Sequence, residues 1–221
     1  MTQTVANGKV YVGTKQSLVV YGLLHQLKPA SGNNQSATVN TTLPLPLQVQ
    51  AADPYTGQPL PGMTVTFTDG GKGGTFGSPT AITDSSGQAS TTYSFYKVAR
   101  TVTITASSPG LASALFTETG TPDAPKWLVI ISGNNQSAPA GTNLPAALVV
   151  KVADQYSNGV PGITVSFSDG GAGGTLSAAT VTTDSLGHAT VNYTTPAHAG
   201  AITITASSPG LGSSKFSETA N

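Results

Sequence analysis

A nine-residue segment occurs twice in the chain, and it constrains the fold more than any other feature. Residues 103–111 read Thr-Ile-Thr-Ala-Ser-Ser-Pro-Gly-Leu, and the same letters return 100 positions later at 203–211. Apolar and hydroxyl-bearing residues alternate, as in a strand with one buried face, and Ser-Pro-Gly then ends the strand. A match of this length at a fixed spacing predicts two copies of one structural unit.

The rest of the chain can be registered against this pair. The segment Ser-Gly-Asn-Asn-Gln at 31–35 returns at 132–136, and the spacing falls to 100 residues by Gly62 and Gly162 because the loop at 53–61 is one residue longer than its counterpart at 154–161. Short stretches with a period of two recur in both copies, at 47–51 and 148–152, 63–67 and 163–167, 89–93 and 189–193, and 102–106 and 202–206. This pattern predicts an all-β chain of two tandem immunoglobulin-like β-sandwiches with about seven strands each.

Composition excludes several classes of protein. Charged residues make up 8% of the chain, with nine Lys and Arg against nine Asp and Glu, so a basic surface for nucleic acid or an anionic membrane is not expected. Cysteine is absent, which excludes disulfides and thiolate metal sites. We expect no membrane insertion, because no apolar run is long enough to span a bilayer.

Residues 1–30 lie outside the repeat. Two alternating segments at 9–12 and 17–21, separated by Gly-Thr-Lys-Gln, predict an N-terminal β-hairpin. The letters at 6–14, together with Tyr-Gly-Leu-Leu at 21–24, resemble the closing blade of a quinoprotein-like β-propeller. That resemblance implies that the hairpin is a propeller remnant and that the chain is the C-terminal piece of a longer exported protein. The exposed edge of such a hairpin predicts that it either packs on the first sandwich or pairs with a second copy as a homodimer.

Further motifs are shared by the two copies. They are Leu-Pro at 43–44 and 144–145, Asp…Pro-Gly-x-x-Val-x-Phe at 53–67 and 154–167, Gly-Gly-Thr at 73–75 and 173–175, and Thr-Asp-x-x-Gly-x-Ala at 83–89 and 183–189. With the Ser-Gly-Asn-Asn-Gln opening, they resemble the group 1 bacterial immunoglobulin-like domains of invasin and intimin. We expect one domain at 31–120 and a second at 121–221. The linker at 121–125 holds two prolines, which predicts a stiff joint and an extended tandem.

The resemblance implies a function without catalysis. In that family such domains are stalk and adhesion modules, so we expect an extracellular or cell-surface spacer or adhesion module of a larger bacterial protein. The alternative is a carbohydrate- or protein-binding accessory module of an exported enzyme. A third hypothesis is a hydrolase that uses His188 or His198 in a groove between the domains. We expect no catalytic residue, because the first copy has Gln88 and Val98 at these two positions.

Candidate binding residues are aromatic. Trp127, the single tryptophan, follows the linker and is expected to pack at the domain junction or the start of the core; the alternative is a platform on which a sugar stacks. Tyr55 and Tyr156 lie in the loops that differ in length. With Trp127, they are the residues predicted to contact a glycan or protein ligand.

Candidate metal ligands are acidic. Glu118 and Asp123, near the joint, could pair with the loop residue Asp154 to bind calcium, which prefers several converging carboxylates. The competing interpretation is that each recurring Asp caps a turn. Calcium aside, no cofactor is expected.

Overall fold

Every regular element that the computed structural model describes is a β-strand. It describes residues 3–6, 9–13, 16–22 and 25–221. The chain divides into two compact units, Met1–Thr121 and Pro122–Asn221. Each unit has a hydrophobic core of its own. Within the described residues there is no helix that is long and apolar enough to cross a membrane.

The first strands of the chain form a small antiparallel sheet. β1 (Gln3–Ala6), β2 (Lys9–Gly13) and β3 (Leu18–Gly22) pair in that order. The pairing of β2 with β3 is the predicted hairpin, and β1 adds a third strand that the pattern had not indicated. Part of the predicted hairpin turn, residues 14 and 15, lies outside the described residues.

The next strand already belongs to the first sandwich. β4 (His25–Ser31) pairs with β6 (Leu47–Ala52), and Leu27 of β4 is a buried core residue. The N-terminal segment that we expected to continue to residue 30 therefore ends earlier. Its last residues are recruited into the sandwich because Leu27 can be buried there and the backbone of β4 can pair with β6.

The first sandwich consists of three sheets. Their strand orders are β10-β6-β4-β13, β5-β14-β12-β7-β9 and β11-β8. The remaining strands are β5 (Ser36–Thr38), β7 (Thr64–Thr68), β8 (Thr75–Phe76), β9 (Thr80–Ile82), β10 (Gln88–Thr91), β11 (Tyr93–Ser94), β12 (Arg100–Ser107), β13 (Leu111–Ala112) and β14 (Ala114–Thr121).

The second sandwich repeats this plan. Its strand orders are β15-β17-β21, β16-β24-β23-β18-β20 and β19-β22. The strands are β15 (Trp127–Ser132), β16 (Ser137–Ala138), β17 (Leu148–Ala153), β18 (Thr164–Ser168), β19 (Thr175–Leu176), β20 (Thr180–Thr182), β21 (His188–Val191), β22 (Tyr193–Thr194), β23 (Gly200–Ser208) and β24 (Gly212–Ala220). Seven of these ten strands have three residues or more, which matches the predicted number.

The copies differ at one edge. In the first unit, the two-residue strand β13 leaves its neighbour β14 and pairs in parallel with β4. In the second unit, the counterpart of Ala112 is Gly212, which begins β24 and pairs with Ser208 of β23. The rest of the topology is shared.

The repeated segment forms the centre of each core. Its first five residues lie in β12 and β23, where Ile104 and Ile204 are completely buried. Their cross-strand partners are Phe116 on β14 and Phe216 on β24, which are also completely buried. The predicted alternation is therefore confirmed. The two-faced pattern of hydroxyl and apolar residues buries one face of each strand against the opposite sheet.

Because the units have separate cores, a cavity in one core should destabilise that unit alone. We expect Phe116→Ala to lower the free energy of unfolding of the first unit by about 3–5 kcal/mol. Hydrogen exchange of backbone amides would report each unit, and protection in the second unit should be unchanged. Leu115→Ala is the matched control, because Leu115 precedes Phe116 on the same strand but is 56% exposed. Equal loss of protection in both units would contradict separate cores.

Candidate functional site

The Ser-Gly-Asn-Asn-Gln segment connects the start of each unit to its last strand. In the first unit, the backbone N–H of Gln35 donates to Oε2 of Glu118 on β14 at 2.7 Å. The Gln35 side chain fixes the neighbouring loop: Nε2 donates to the carbonyls of Gly32 and Leu45, and Oε1 accepts from the Leu45 N–H. We call this arrangement, Gln35 with Glu118 and Gln136 with Glu218, the Gln–Glu lock.

The second unit builds the same lock. The N–H of Gln136 donates to Oε2 of Glu218. The Gln136 amide bonds the carbonyls of Gly133 and Ala146, and accepts from the Ala146 N–H. Glu118 and Glu218 were not predicted to pair with these glutamines. The signal was present, because both members recur in the two copies, 83 residues apart in the first and 82 in the second.

The other residues of the motif shape its backbone. Gly32 has a φ of 79°, and a Cβ atom there would lie 2.1 Å from the carbonyl oxygen of Pro46, so a larger residue cannot fit. Asn34 has a φ of 60°, a conformation that asparagine tolerates better than most residues. The Asn33 Oδ1 accepts from the backbone N–H of Thr117, which ties the turn to β14.

Glu118 and Glu218 are buried acids on the core side of their strands. Glu118 lies opposite Val102 in the ladder, and Glu218 lies opposite Ile202. Burial raises the pKa of both carboxyls, and the backbone N–H groups that bond Oε2 only partly oppose this. Oε1 of each residue is buried without a hydrogen-bond partner. Glu118, predicted as a metal ligand, is thus placed at the edge of the first core.

The other two predicted metal ligands meet in the second unit. The backbone N–H of Asp123 donates to Oδ2 of Asp154 at 2.9 Å. Asp154 also accepts from the N–H groups of Tyr156 and Asn158 and from the Asn158 amide. Burial opposes ionisation of Asp154, but these donors outweigh it and lower its pKa. Its oxygens therefore cap a turn, as the competing interpretation supposed.

No group of three or more His, Cys, Asp or Glu residues converges on a common point anywhere in the described ranges. The first unit shows how its loop carboxylate is used instead. Asp53 Oδ1 accepts from the N–H groups of Thr56 and Tyr55, and Oδ2 lies 3.0 Å from Nε2 of His25. These bonds lower the pKa of Asp53 to about 2. Calcium binding therefore remains a prediction: Asp123 and Asp154 lie close together, and no third acidic residue or histidine joins them within the described residues.

A second pair of acids holds the glycine-rich loops. Asp69 Oδ1 accepts from the N–H groups of Gly71 and Lys72, and Oδ2 accepts from Gly74 N–H and the Tyr93 hydroxyl. The second unit repeats the bonds from Gly171, Gly174 and Tyr193 to Asp169. Burial and the neighbouring carboxylate raise the pKa of both tyrosines. The Gly-Gly-Thr motif is explained here, since a Cβ at Gly74 would lie 2.1 Å from the Tyr93 hydroxyl.

The three predicted binding residues occupy separate places. Trp127 is half exposed at the start of β15 and points away from the core that its neighbour Leu128 enters. The Lys126 ammonium lies 5.2 Å from the Trp127 ring centroid, within the range of a cation–π contact. Of the two places expected for Trp127, the domain junction or the start of the core, the core of its unit is taken by Leu128 instead, because strand alternation turns Leu128 inward. Tyr55 and Tyr156 occupy the equivalent capped turns of the two units.

The two histidines considered for catalysis lie at a strand start and in an exposed loop. His188 is half-buried at the start of β21, and its backbone N–H donates to Oδ1 of Asp184. Gln88 makes the same backbone bond to Asp84 in the first unit, so the position needs no imidazole. His198 is exposed in a loop.

The raised pKa of Glu118 and Glu218 predicts a dependence of stability on pH. A folded-state pKa above the ordinary value of 4.5 gives stability that is complete below pH 4.5 and lost as pH rises through the folded-state pKa. We expect the Glu118→Gln, Glu218→Gln double variant to lack this loss. Denaturant unfolding over a pH series measures it.

Asp84→Asn is the control for this series. Hydrogen bonds from Gln88 and Ser86 lower the pKa of Asp84, so its contribution is lost as pH falls rather than rises. The double glutamine variant should therefore flatten the curve above pH 4.5, whereas Asp84→Asn should flatten it below 3.8. A glutamine variant that follows the wild-type pH profile would rule out buried, proton-linked glutamates.

Comparison with known proteins gives one family match. Residues 130–220, most of the second unit, match the family described as bacterial Ig-like domain (group 1). A search of proteins with curated functions found no match.

Solved structures show the fold of both units. InvD of Yersinia pseudotuberculosis is similar with a TM-score of 0.62 and 19% identity, over 89% of this chain and 57% of that one. FdeC, an Escherichia coli adhesin, is similar with a TM-score of 0.58 and 15% identity, over 88% of this chain and 62% of that one. The chain thus spans about three fifths of either structure. Its two units are tandem immunoglobulin-like β-sandwiches, as predicted, and the second is similar to the group 1 bacterial domains.

Proposed function

We propose that the chain is a non-catalytic, load-bearing spacer and adhesion module of a larger bacterial surface or secreted protein. The observation that carries this proposal is the parallel pairing of an early strand with the last strand in both units. β5 pairs with β14 in the first unit, and β16 pairs with β24 in the second.

This pairing resists force applied along the chain. In a parallel pair, the start of the first strand and the end of the last strand lie at opposite ends of the ladder. Tension on the chain therefore slides the two strands along each other and loads their hydrogen bonds together. An antiparallel hairpin pulled at its open end would instead lose its bonds one at a time.

Neighbouring bonds lengthen each ladder. In the first unit, Thr119 donates to the Gln35 carbonyl, and Val39 donates to the Thr121 carbonyl. In the second, Thr219 donates to the Gln136 carbonyl, Asn221 donates to the Ala138 carbonyl, and Ala140 donates to the Asn221 carbonyl. The Gln–Glu lock adds one more hydrogen bond at the end of each ladder, from a backbone N–H to a buried carboxyl group.

The repeated polar residues support a role without catalysis. Asp69, Asp84 and Asp154 each direct their oxygens at backbone N–H groups of their own loop. An acid or base in catalysis needs an atom that can reach a substrate proton. The acids that recur in both copies are used instead to hold turns, as a spacer requires.

The similar structures suit this function, and they extend the proposal. One of them is an E. coli adhesin, and on that likeness we place this chain outside the cell. We further propose that β1–β3, which pair among themselves, are the remnant of a propeller blade in a longer protein. Their edges offer a route to homodimers. The alternative function, an accessory module that binds glycans or proteins, is favoured by the half-exposed ring of Trp127.

Pulling the chain from both ends should reveal two unfolding steps. Each unit should release about 30 nm of chain, from its length and the extended rise per residue. We expect Glu118→Ala with Glu218→Ala to lower both rupture forces, because each change removes the carboxyl group that accepts from the backbone N–H of Gln35 or Gln136 at the end of a ladder. Single-molecule force spectroscopy measures both quantities.

Gln48→Ala provides a matched control for the force experiment. Gln48 on β6 donates to the side chain of Gln88 on β10. Both strands belong to the sheet that does not contain β5 and β14. Its loss should leave the rupture force unchanged. Gradual extension without distinct force peaks would contradict the spacer proposal. Glycan binding that Trp127→Ala abolishes would favour the accessory module instead.

A further inference from the structure

One end of the first unit concentrates positive charge beside an exposed aromatic ring. Lys72, Lys97 and Arg100 are three of the nine Lys and Arg residues of the chain; Lys72 and Lys97 lie in loops, and Arg100 begins β12. The Arg100 guanidinium donates to the backbone carbonyl of Lys72, which connects the loops. Tyr96, which directly precedes Lys97, is 51% exposed. We call these four residues the basic tip.

The Tyr96 ring is held in place by a glycine. A Cβ atom at Gly73 would lie 3.3 Å from Cγ of Tyr96, so the ring packs directly on the loop backbone. The backbone carbonyl of Tyr96 accepts from Asn40 N–H, and Phe95, its neighbour, is buried in the core. The aromatic face is therefore presented on a fixed base rather than on a free loop.

Asp69, in the same loop as Lys72, uses its carboxylate to hold that loop. Asp69 is buried, and its two oxygens accept from Gly71, Lys72 and Gly74 N–H groups and from the Tyr93 hydroxyl. Its carboxylate therefore stabilises the loop in which it lies. Residues 69–74 and 95–100 together carry three cationic side chains and one carboxylate, in a protein whose overall formal charge is zero.

The second unit shows that folding does not need these side chains. At the corresponding positions, 100 residues later, it has Ala172, Pro196, Ala197 and Gly200. Yet the bonds from Gly171, Gly174 and Tyr193 to Asp169 are retained. The same loop framework forms with no cation at any of the three positions. The basic tip is thus an addition to the scaffold and not a part of it.

We propose that the basic tip binds an acidic saccharide, through its carboxylate or sulfate groups. Lysine and arginine side chains pair with such anions, and the apolar face of a sugar ring can cover the exposed ring of Tyr96. A nucleic acid fits less well, because three cations on a chain without net charge provide a small electrostatic footprint. This inference rests on the proposed adhesion function, for which it names the ligand chemistry.

Calorimetric titration of the full chain tests the proposal with defined probes. Heparin oligosaccharide carries sulfates, oligogalacturonate carries carboxylates, and dextran is neutral. We expect binding of one or both acidic probes and none of dextran. Affinity should fall about tenfold between about 50 and about 200 mM salt, as for a few released counterions. Lys72→Ala with Lys97→Ala should reduce affinity about tenfold, and Tyr96→Ala about fivefold.

Lys28→Ala with Lys215→Ala is the matched control. It removes two exposed lysines elsewhere and changes the net charge equally, so affinity should be unchanged. A thermal melt checks that each variant is folded. Equal loss in both double variants, binding of a single-stranded DNA oligonucleotide as tight as that of the saccharides, or no binding of either acidic saccharide would overturn the proposal. None of these results would alter the rupture forces that test the spacer function.

Discussion

Each sandwich depends on an early strand that runs parallel to the last strand of the same sheet. This contact joins residues about 80 positions apart, at Gln35 and Glu118 and again at Gln136 and Glu218. The Gln35 side chain also bonds the carbonyls of Gly32 and Leu45, so the residue that contacts the last strand also holds the turn at the start of the unit. One glutamine thus couples the entry of the chain, the following loop and the exit strand.

The choice of a buried acid at this contact has a physical consequence. A carboxylate oxygen accepts strongly from backbone N–H groups, but its burial beside apolar side chains is costly. Glu118 satisfies one oxygen and leaves the other without a partner, and Glu218 does the same. The cost is tolerated in both units because removing the acceptor would leave the Gln35 or Gln136 N–H unpaired next to the core. The stability of each unit and the pairing of its early strand with its last strand therefore both depend on the carboxyl group of this glutamate.

The sequence predicted what local periodicity controls. Burial of Ile104, Phe116 and their counterparts followed from alternation, and the capped turns at Asp53 and Asp84 followed from their Asp and Gly positions. Sequence reasoning missed contacts between distant segments. Glu118 appeared to be a metal ligand because a lone acid near a linker gives no sign of a partner 83 residues earlier. The start of the core stayed open as a place for Trp127 because periodicity cannot fix which of two adjacent apolar residues, Trp127 or Leu128, turns inward.

The differences between the two units are informative because the scaffold is the same. Gln–Glu locks, Asp-capped turns and tyrosine-bound glycine loops recur with the same partners, so the fold accounts for them. Residues that differ while the surrounding bonds persist are not required by the fold. Lys72 against Ala172 and Arg100 against Gly200 are such pairs. Under the proposed function, such a module can acquire a binding surface at the end of one copy while both copies transmit force, because the basic tip contains no residue of the parallel strands β5 and β14.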